Sequence, residues 1–356
     1  MHIEILSEKY EAQYEDFLLK DSLTLFYVSN NYRRLLKEFL NEEDCYFIAL
    51  NKWDEVIGVL PAFLKRNEKS GNVLNSLPLY GSNGSIIEYE KNETVKKELL
   101  QAFFNYARNH HCISATLITS PFDTNKTFYD TNYCATFNDE RVGQLTALPS
   151  KYSDLANDLM RLFHQKTRNM IRKAQKSGLA ITDEPASNYM QFLSEIHVEN
   201  INTIGGISKP WPFFELIPQI FEYEEDYKIF VALNDGMPIA ALLLFYFNKT
   251  VEYFTPVIVQ EYRALQPLSL LIFNAMQEAV ARGYEWWNWG GTWLTQDGVY
   301  RFKKRWGTTD MPYFYYTRVF DNQILHCSKE ELTWQYPYFY VLPFSQLSNE
   351  GNNDEL

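Results

Sequence analysis

Two stretches of this chain read as copies of one another. "YFIALNKWDEVIGVLPAFL" (46–64) and "IFVALNDGMPIAALLLFYF" (229–247) each run as an apolar strand ending in Ala-Leu-Asn, a short polar turn and a second apolar strand. Such self-similarity means that each half closes its core around the same supersecondary unit. Asn234-Asp235-Gly236 is a strong hairpin signal, because a tight two-residue turn needs left-handed φ angles that Asp and Gly tolerate; Lys52-Trp53-Asp54-Glu55 is a looser version. The flanks repeat as well. Helix-forming "NNYRRLLKEFL" (30–40) precedes the first hairpin, and "SDLANDLMRLFHQKTRNMIRKAQKSG" (153–178) and "SNYMQFLSEIHVENI" (187–201) precede the second. "ETVKKELLQAFFNYARNHH" (93–111) matches "LSLLIFNAMQEAVARG" (268–283), with strands following at "ISATLIT" and "YEWWNWG". The order predicts an α+β tandem duplication, each half a mixed, mostly antiparallel sheet flanked by helices. Turn chemistry around Pro149 divides 1–150 from 151–330, and 331–356 forms a C-terminal extension ending in a disordered "SNEGNNDEL".

Composition removes several function classes. The longest apolar run, Met237 to Phe247, contains Pro238 and is too short for the roughly 20 residues of a membrane-spanning helix. The N-terminus is acidic early and has no basic, then apolar, leader, so a cytoplasmic location is expected. A net charge of -12 argues against a general nucleic-acid coat and against DNA as a partner; any polyanion needs a local basic patch. The four cysteines are scattered without a CxxC pair and read as buried thiols, and the six histidines form no HExxH, so no metal and no redox cofactor are expected. There is no Gly-x-Ser-x-Gly elbow and no P-loop, which leaves a covalent-nucleophile mechanism without support.

Two cationic segments are candidates for chemistry. At about 100° per residue, Arg161, Gln165, Arg168 and Arg172 share one face of the 153–178 helix. Guanidinium groups there form either a phosphate clamp or a solvated helix face. In "GVYRFKKRWG" (298–307), a helix over 299–306 with Asp297 as N-cap and Gly307 beyond its end places Val299, Phe302 and Trp306 on the apolar side. Lys303 falls within about 40° of Val299 on that wheel, whereas Arg301, Lys304 and Arg305 point away, toward solvent or a polyanionic backbone. The bland reading of Lys303 is a stem laid on Phe302 with its ammonium in water.

"HQKTRNMIRKAQKSGLAI", then "QEYRALQPLSLLIFNAMQEAVARGYEWWNWGGTW", then "GVYRFKKRWG" together resemble the Fem family of aminoacyltransferases and its BioF2-like acetyltransferase relatives, within the GNAT superfamily. The resemblance is strongest over about 160–318, and "LNSLPLYGSNGSII" (74–87) is similar to a strand-loop of the N-terminal Fem domain. It implies two GNAT-like domains and an N-acyltransferase, most simply a Fem-like aminoacyltransferase. The acceptor is then an amine on a small or lipid-linked envelope or polysaccharide precursor, and the donor a charged tRNA or an acyl-CoA as co-substrate. The Phe-Lys pair of the family matches Phe302 and Lys303, which the resemblance places by the reacting carbonyl, and it implies that Arg168 and Arg172 hold phosphate. A fixed cation in a water-poor site stabilises the tetrahedral oxyanion of acyl transfer more than solvent can.

Three further features bear on that resemblance. Where a CoA-using relative has a glycine-rich turn, this chain reads Arg263, Ala264, Leu265, Gln266, Pro267 and Leu268; without glycine the backbone is obstructed, and proline lacks an N–H donor. Pro267 also suits a helix N1 position. The tRNA-gripping coiled-coil arm of many Fem enzymes has no counterpart here, so an acyl-CoA-dependent acetyltransferase and a non-catalytic sugar- or nucleotide-binding protein stay open as alternatives. The tryptophans of "YEWWNWGGTW" (284–293), Trp289 among them, either stack on a ring or fill the core, and Glu252, facing the same region as Tyr253, is a candidate base for the acceptor ammonium.

Overall fold

The structure is a computed structural model that describes residues 1–79, 81–150, 154–185, 187–203, 206–293 and 296–343. It divides into two compact units: Met1–Arg141 with the chain from Pro312 onward, and Val142–Met311. This differs from the expected division. The boundary lies before Pro149, inside a strand, and the described residues after Pro312 belong to the first unit rather than to a separate extension. The "SNEGNNDEL" tail lies outside the described residues.

The first unit contains strands β1 (His2–Ile5), β2 (Glu43–Asp44), β3 (Phe47–Leu50), β4 (Val56–Leu60), β5 (Phe63–Lys65), β6 (Asn72–Asn75) and β7 (Cys112–Ile118). Its helices are α1 (Glu11–Leu18), α2 (Asn30–Leu40), α3 (Glu93–Asn109) and α4 (Lys126–Asn132). β1, β3 and β4 form one antiparallel sheet; β2, β5, β6 and β7 line up in a second, where β6 and β7 run parallel with α3 as their crossover. α3 buries Val95, Leu99, Phe103 and Ala107, a one-face repeat, against the sheets. Gly58 permits the close approach: a Cβ there would stand 2.5 Å from Val95 Cγ1.

The second unit begins within β8 (Phe137–Ala147) and continues through α5 (Leu155–Leu162), α6 (Gln165–Gln175), β9 (Ala180–Thr182), α7 (Ser187–Thr203), α8 (Trp211–Ile220), β10 (Tyr227–Asn234), β11 (Met237–Phe247), β12 (Thr250–Ile258), α9 (Pro267–Arg282), β13 (Trp286–Thr292) and α10 (Asp297–Lys304). The strand order is β8-β13-β12-β11-β10-β9, antiparallel except for β12 and β13. α9 crosses over between those parallel strands as α3 does between β6 and β7, so the duplication read from the sequence is the architecture. The β10–β11 turn is the tight one: Asn234 pairs with Met237, and Asp235 and Gly236 carry φ of 50° and 79°. The chain then re-enters the first unit along β14 (Thr309–Val319), which pairs antiparallel with β7 from Tyr315 to Val319, and ends in α11 (Lys329–Gln335).

Four local expectations need correction. The single helix expected at 153–178 is two, α5 and α6, separated by Phe163 and His164 in extended conformation. The break has a cause on each side: Phe163 turns its ring into the core against Trp306, and His164 Nδ1 accepts the Lys166 N–H as the cap of α6. Arg161 is therefore not on one helix face with Arg168 and Arg172. Val299, expected on the apolar face, is 44% exposed in the first turn of α10, and of the thiols expected to be buried, Cys134 just past α4 is exposed and Cys327 is half-buried. No helix among the described residues is long and apolar enough to cross a membrane.

Candidate active site in the second unit

The residues of interest gather around an irregularity in β13. The ladder between β13 and β8 shifts register between Asn288 and Gly291, and Gly290 has φ of 71°. A left-handed residue inside a strand turns successive carbonyls to one side, and glycine adopts that conformation without penalty. Lys303 uses both carbonyls. Its Nζ donates to Gly291 O at 2.9 Å, to Thr292 Oγ1 at 3.0 Å and to Gly290 O at 3.3 Å. The side chain is buried, and among the described residues no carboxylate pairs with it. Burial lowers its pKa from 10.5 to about 7. The stem does not carry the ammonium out to water: three protein acceptors take its three protons.

Asn288 extends the network. Its Oδ1 accepts the Gly290 N–H at 2.9 Å, and its Nδ2 donates to Glu252 Oε2 at 2.8 Å, directly across from it on β12. Glu252 is 1% exposed, not a solvated strand residue. The sequence reading put Glu252 and Tyr253 in one region, but alternation along a strand separates them. Tyr253 packs on Trp287 and Trp289 instead. On the other side of the bulge, Thr292 Oγ1 donates to Gln144 Oε1, whose amide donates to Tyr300 O, so β8 and α10 hold the Lys303 acceptor in place.

An aromatic cluster backs this arrangement. Trp306 packs on Phe163, Trp289 and Phe302, with ring centroids 4.9, 5.5 and 6.3 Å away. Trp289 is 2% exposed, and its indole donates to Thr146 Oγ1, which in turn donates to Trp306 O. As a stacking platform for a ligand, Trp289 is thus corrected to a core residue; the alternative reading of that tryptophan run is the observed one. Gly307 sits where a Cβ would be 2.9 Å from Leu162 O, which seats the end of α10 against the α5–α6 break.

The remaining cations are distributed unevenly. Arg168 is half-buried and donates to the carbonyls of Phe163 at 2.6 Å and Met160 at 3.4 Å, closing the C-terminal end of α5. Arg172 is exposed on α6. Arg161 pairs with Asp158 at 2.9 Å, Arg301 with Asp297 at 3.5 Å and Lys304 with Asp310 at 3.1 Å, all at the surface. Arg305 is half-buried, and its carbonyl accepts from His164 N–H and Thr167 Oγ1.

One cation escaped the sequence reading. Lys209, in the segment before α8, stands 5.0 Å from the Phe254 ring centroid and 5.9 Å from that of Phe213. Burial lowers its pKa to about 8. Its backbone N–H donates to His197 Nε2 at 3.1 Å, which requires the neutral imidazole, and burial lowers His197 to about 4. Phe254 packs on Phe245, the residue opposite Glu252, so Lys209 and Glu252 lie on the same side of the sheet. Its signal was a lone lysine beside a proline in "GGISKPW", too ordinary to stand out. Among the described residues no group of three His, Cys, Asp or Glu side chains could hold a metal.

The FemAB family model matches residues 222–310, which span β10 to α10 and include Glu252, the Gly290–Gly291 bulge and Lys303. Among solved structures, FemX is similar with a TM-score of 0.71 at 13% identity, covering 91% of this chain and 98% of its own. A tandem GNAT protein from the clavulanic acid biosynthesis pathway follows at 0.56 and 11%, covering 89% and 98%, and L-PGS from Bacillus licheniformis at 0.52 and 11%, covering 88% and 92%. No curated protein matches the chain. The chain thus matches the FemAB model over residues 222–310 and shares the tandem fold of FemX and of the tandem GNAT protein.

Proposed function

We propose that this protein is an N-acyltransferase of the Fem-like kind, transferring an acyl or aminoacyl group to an amine of a small or lipid-linked envelope or polysaccharide precursor. The observation that carries the proposal is Lys303: a buried ammonium with no carboxylate partner, held by the Gly290–Gly291 bulge inside the stretch that the FemAB model matches. The acceptor nitrogen attacks the carbonyl carbon of the donor ester, the carbonyl oxygen becomes an oxyanion, and the C–O bond to the donor then breaks as the departing oxygen takes a proton. An ammonium already desolvated stabilises the oxyanion without reorganising water. Its 3.3 Å contact to Gly290 O is the longest of the three and the one that an oxyanion would replace. Phe302 and the tryptophans behind it keep water from the carbonyl, Glu252 fixes Asn288 and so the bulge, and Arg172, exposed on α6, is the cation left for acceptor phosphate.

A second reading, acyl-CoA as donor, has its own support. The longest described helices, α3 and α7, have 17 residues each, too short for a tRNA-gripping arm. Against it, Gln266 takes φ of 61° and Pro267 opens α9, so no run of glycine N–H groups cradles a pyrophosphate there. Titration calorimetry with charged tRNA and with acetyl-CoA separates the readings. The proposal expects heat with charged tRNA alone; heat with acetyl-CoA alone moves the donor to CoA; neither, together with binding of free sugars or nucleotides, points to a non-catalytic binding protein.

A further inference from the structure

The first unit has a cavity of about 530 Å³ that acyl transfer at Lys303 does not use. Its walls are the chain between α1 and α2, the loop that leads from β6 into α3, the first turn of α3 and the loop after β7, all within the first unit. The loop before α3 is the second half of "LNSLPLYGSNGSII", the motif singled out in the sequence.

One wall residue is out of balance. Lys96, in the first turns of α3, is 7% exposed. Its Nζ donates to Asn125 Oδ1 at 2.9 Å and stands 5.1 Å from the Phe128 ring centroid, and among the described residues no carboxylate forms an ion pair with it. An ammonium has three protons to donate, and a buried one left short of partners is costly. The carboxylates of the cavity are committed elsewhere. Asp123 accepts from Asn125 N–H at 2.7 Å, from Asn125 Nδ2 at 2.8 Å and from Tyr129 OH at 2.9 Å, Glu88 accepts the backbone N–H groups of Glu90 and Asn92, and Asp21 Oδ1 accepts the Leu23 N–H at 3.0 Å. Asn125 therefore stands between the Asp123 and Lys96 charges, and Lys96 is left facing the cavity. Leu25, Val28 and Ile86 supply an apolar wall beside it.

We infer that this cavity is a second ligand site, taking a small organic anion whose carboxylate or phosphate oxygens receive the free Lys96 protons and whose apolar body lies on Leu25, Val28 and Ile86. Roughly 300–1,000 Å³ is the usual size of a small-molecule site, and a few placed polar groups within an apolar lining are its usual chemistry. The inference stands apart from the acyl-transfer proposal, since no residue of the second unit takes part.

Thermal unfolding of the full chain with butyrate, propyl phosphate or inorganic phosphate, at ionic strength fixed with chloride, tests it. Butyrate or propyl phosphate raises Tm in a saturable way; which of the two does so identifies the anionic group. The rise disappears in Lys96→Met and persists in Lys303→Met. No saturable rise with either organic probe, or an equal rise in Lys96→Met, overturns the inference, as does a rise with inorganic phosphate alone. Should Lys96→Met fail to fold, acetic anhydride labelling of the wild type read by mass spectrometry decides: the effective probe slows modification of Lys96 at least threefold, and an unchanged rate contradicts the site.

Discussion

Lys303→Met keeps a stem of similar length in the same packing and removes the ammonium. In the wild type, burial lowers the Lys303 pKa from 10.5 to about 7. The unfolded chain therefore holds that proton up to about pH 10.5, whereas the folded chain releases it near pH 7. Between those values the unfolded state binds more protons, so the Lys303 contribution to stability rises with pH and is lost as pH falls toward 7. The full gap corresponds to roughly 5 kcal/mol. That is an upper bound, because Gly290 O, Gly291 O and Thr292 Oγ1 favour the charged form by about 1–3 kcal/mol each. Urea unfolding of both proteins at pH 7, 8, 9 and 10 isolates the effect, since all other titrating groups cancel in the difference. Wild-type stability gains about 2–3.5 kcal/mol relative to Lys303→Met from pH 7 to pH 10. Parallel profiles mean that Lys303 titrates as a solvated lysine and that the desolvated-ammonium argument is wrong; a gain in the opposite direction means that the three acceptors outweigh burial.

Other substitutions separate structural from chemical roles. Gly290→Ala meets no atom within 4 Å but forces alanine to a φ of 71°, so unfolding costs about 1–2 kcal/mol less, and the loss is smaller in a Lys303→Met background, where the bulge carbonyls no longer hold an ammonium. Arg168→Ala leaves the last carbonyls of α5 without their donor and lowers stability by about 1–3 kcal/mol in chemical denaturation, whereas Arg172→Ala stays within about 0.5 kcal/mol of wild type. Once a substrate is in hand, Arg172→Ala is expected to raise KM for the phosphorylated acceptor severalfold with little change in kcat.

Much of this architecture is visible in the sequence because duplication doubles each weak signal. The β10–β11 hairpin follows from Asp235-Gly236 alone, and α3 and α9 from one-face apolar repeats that match each other. Lys303 was separated from its three cationic neighbours by helical phase, and the structure buries it while leaving Arg301 and Lys304 at the surface. What it touches was not readable, because the acceptors are backbone carbonyls exposed by a bulge, and a bulge leaves only two glycines as its trace. The α5–α6 break was missed because its cap is a histidine, a residue seldom read as one, and because Phe163 continues the apolar repeat across the break. The path of the chain back into the first unit is a long-range pairing of β14 with β7 that no local pattern encodes.

The most direct test of acyl transfer at Lys303 is mass spectrometry of acceptor amines incubated with a panel of charged tRNAs and acyl-CoAs, using wild type and Lys303→Met side by side at matched folded fraction. The account predicts an acceptor whose mass increases by one acyl group in the wild type and a rate lower by at least tenfold in the variant, about 1.4 kcal/mol or more of transition-state stabilisation. Equal rates in the two proteins contradict it.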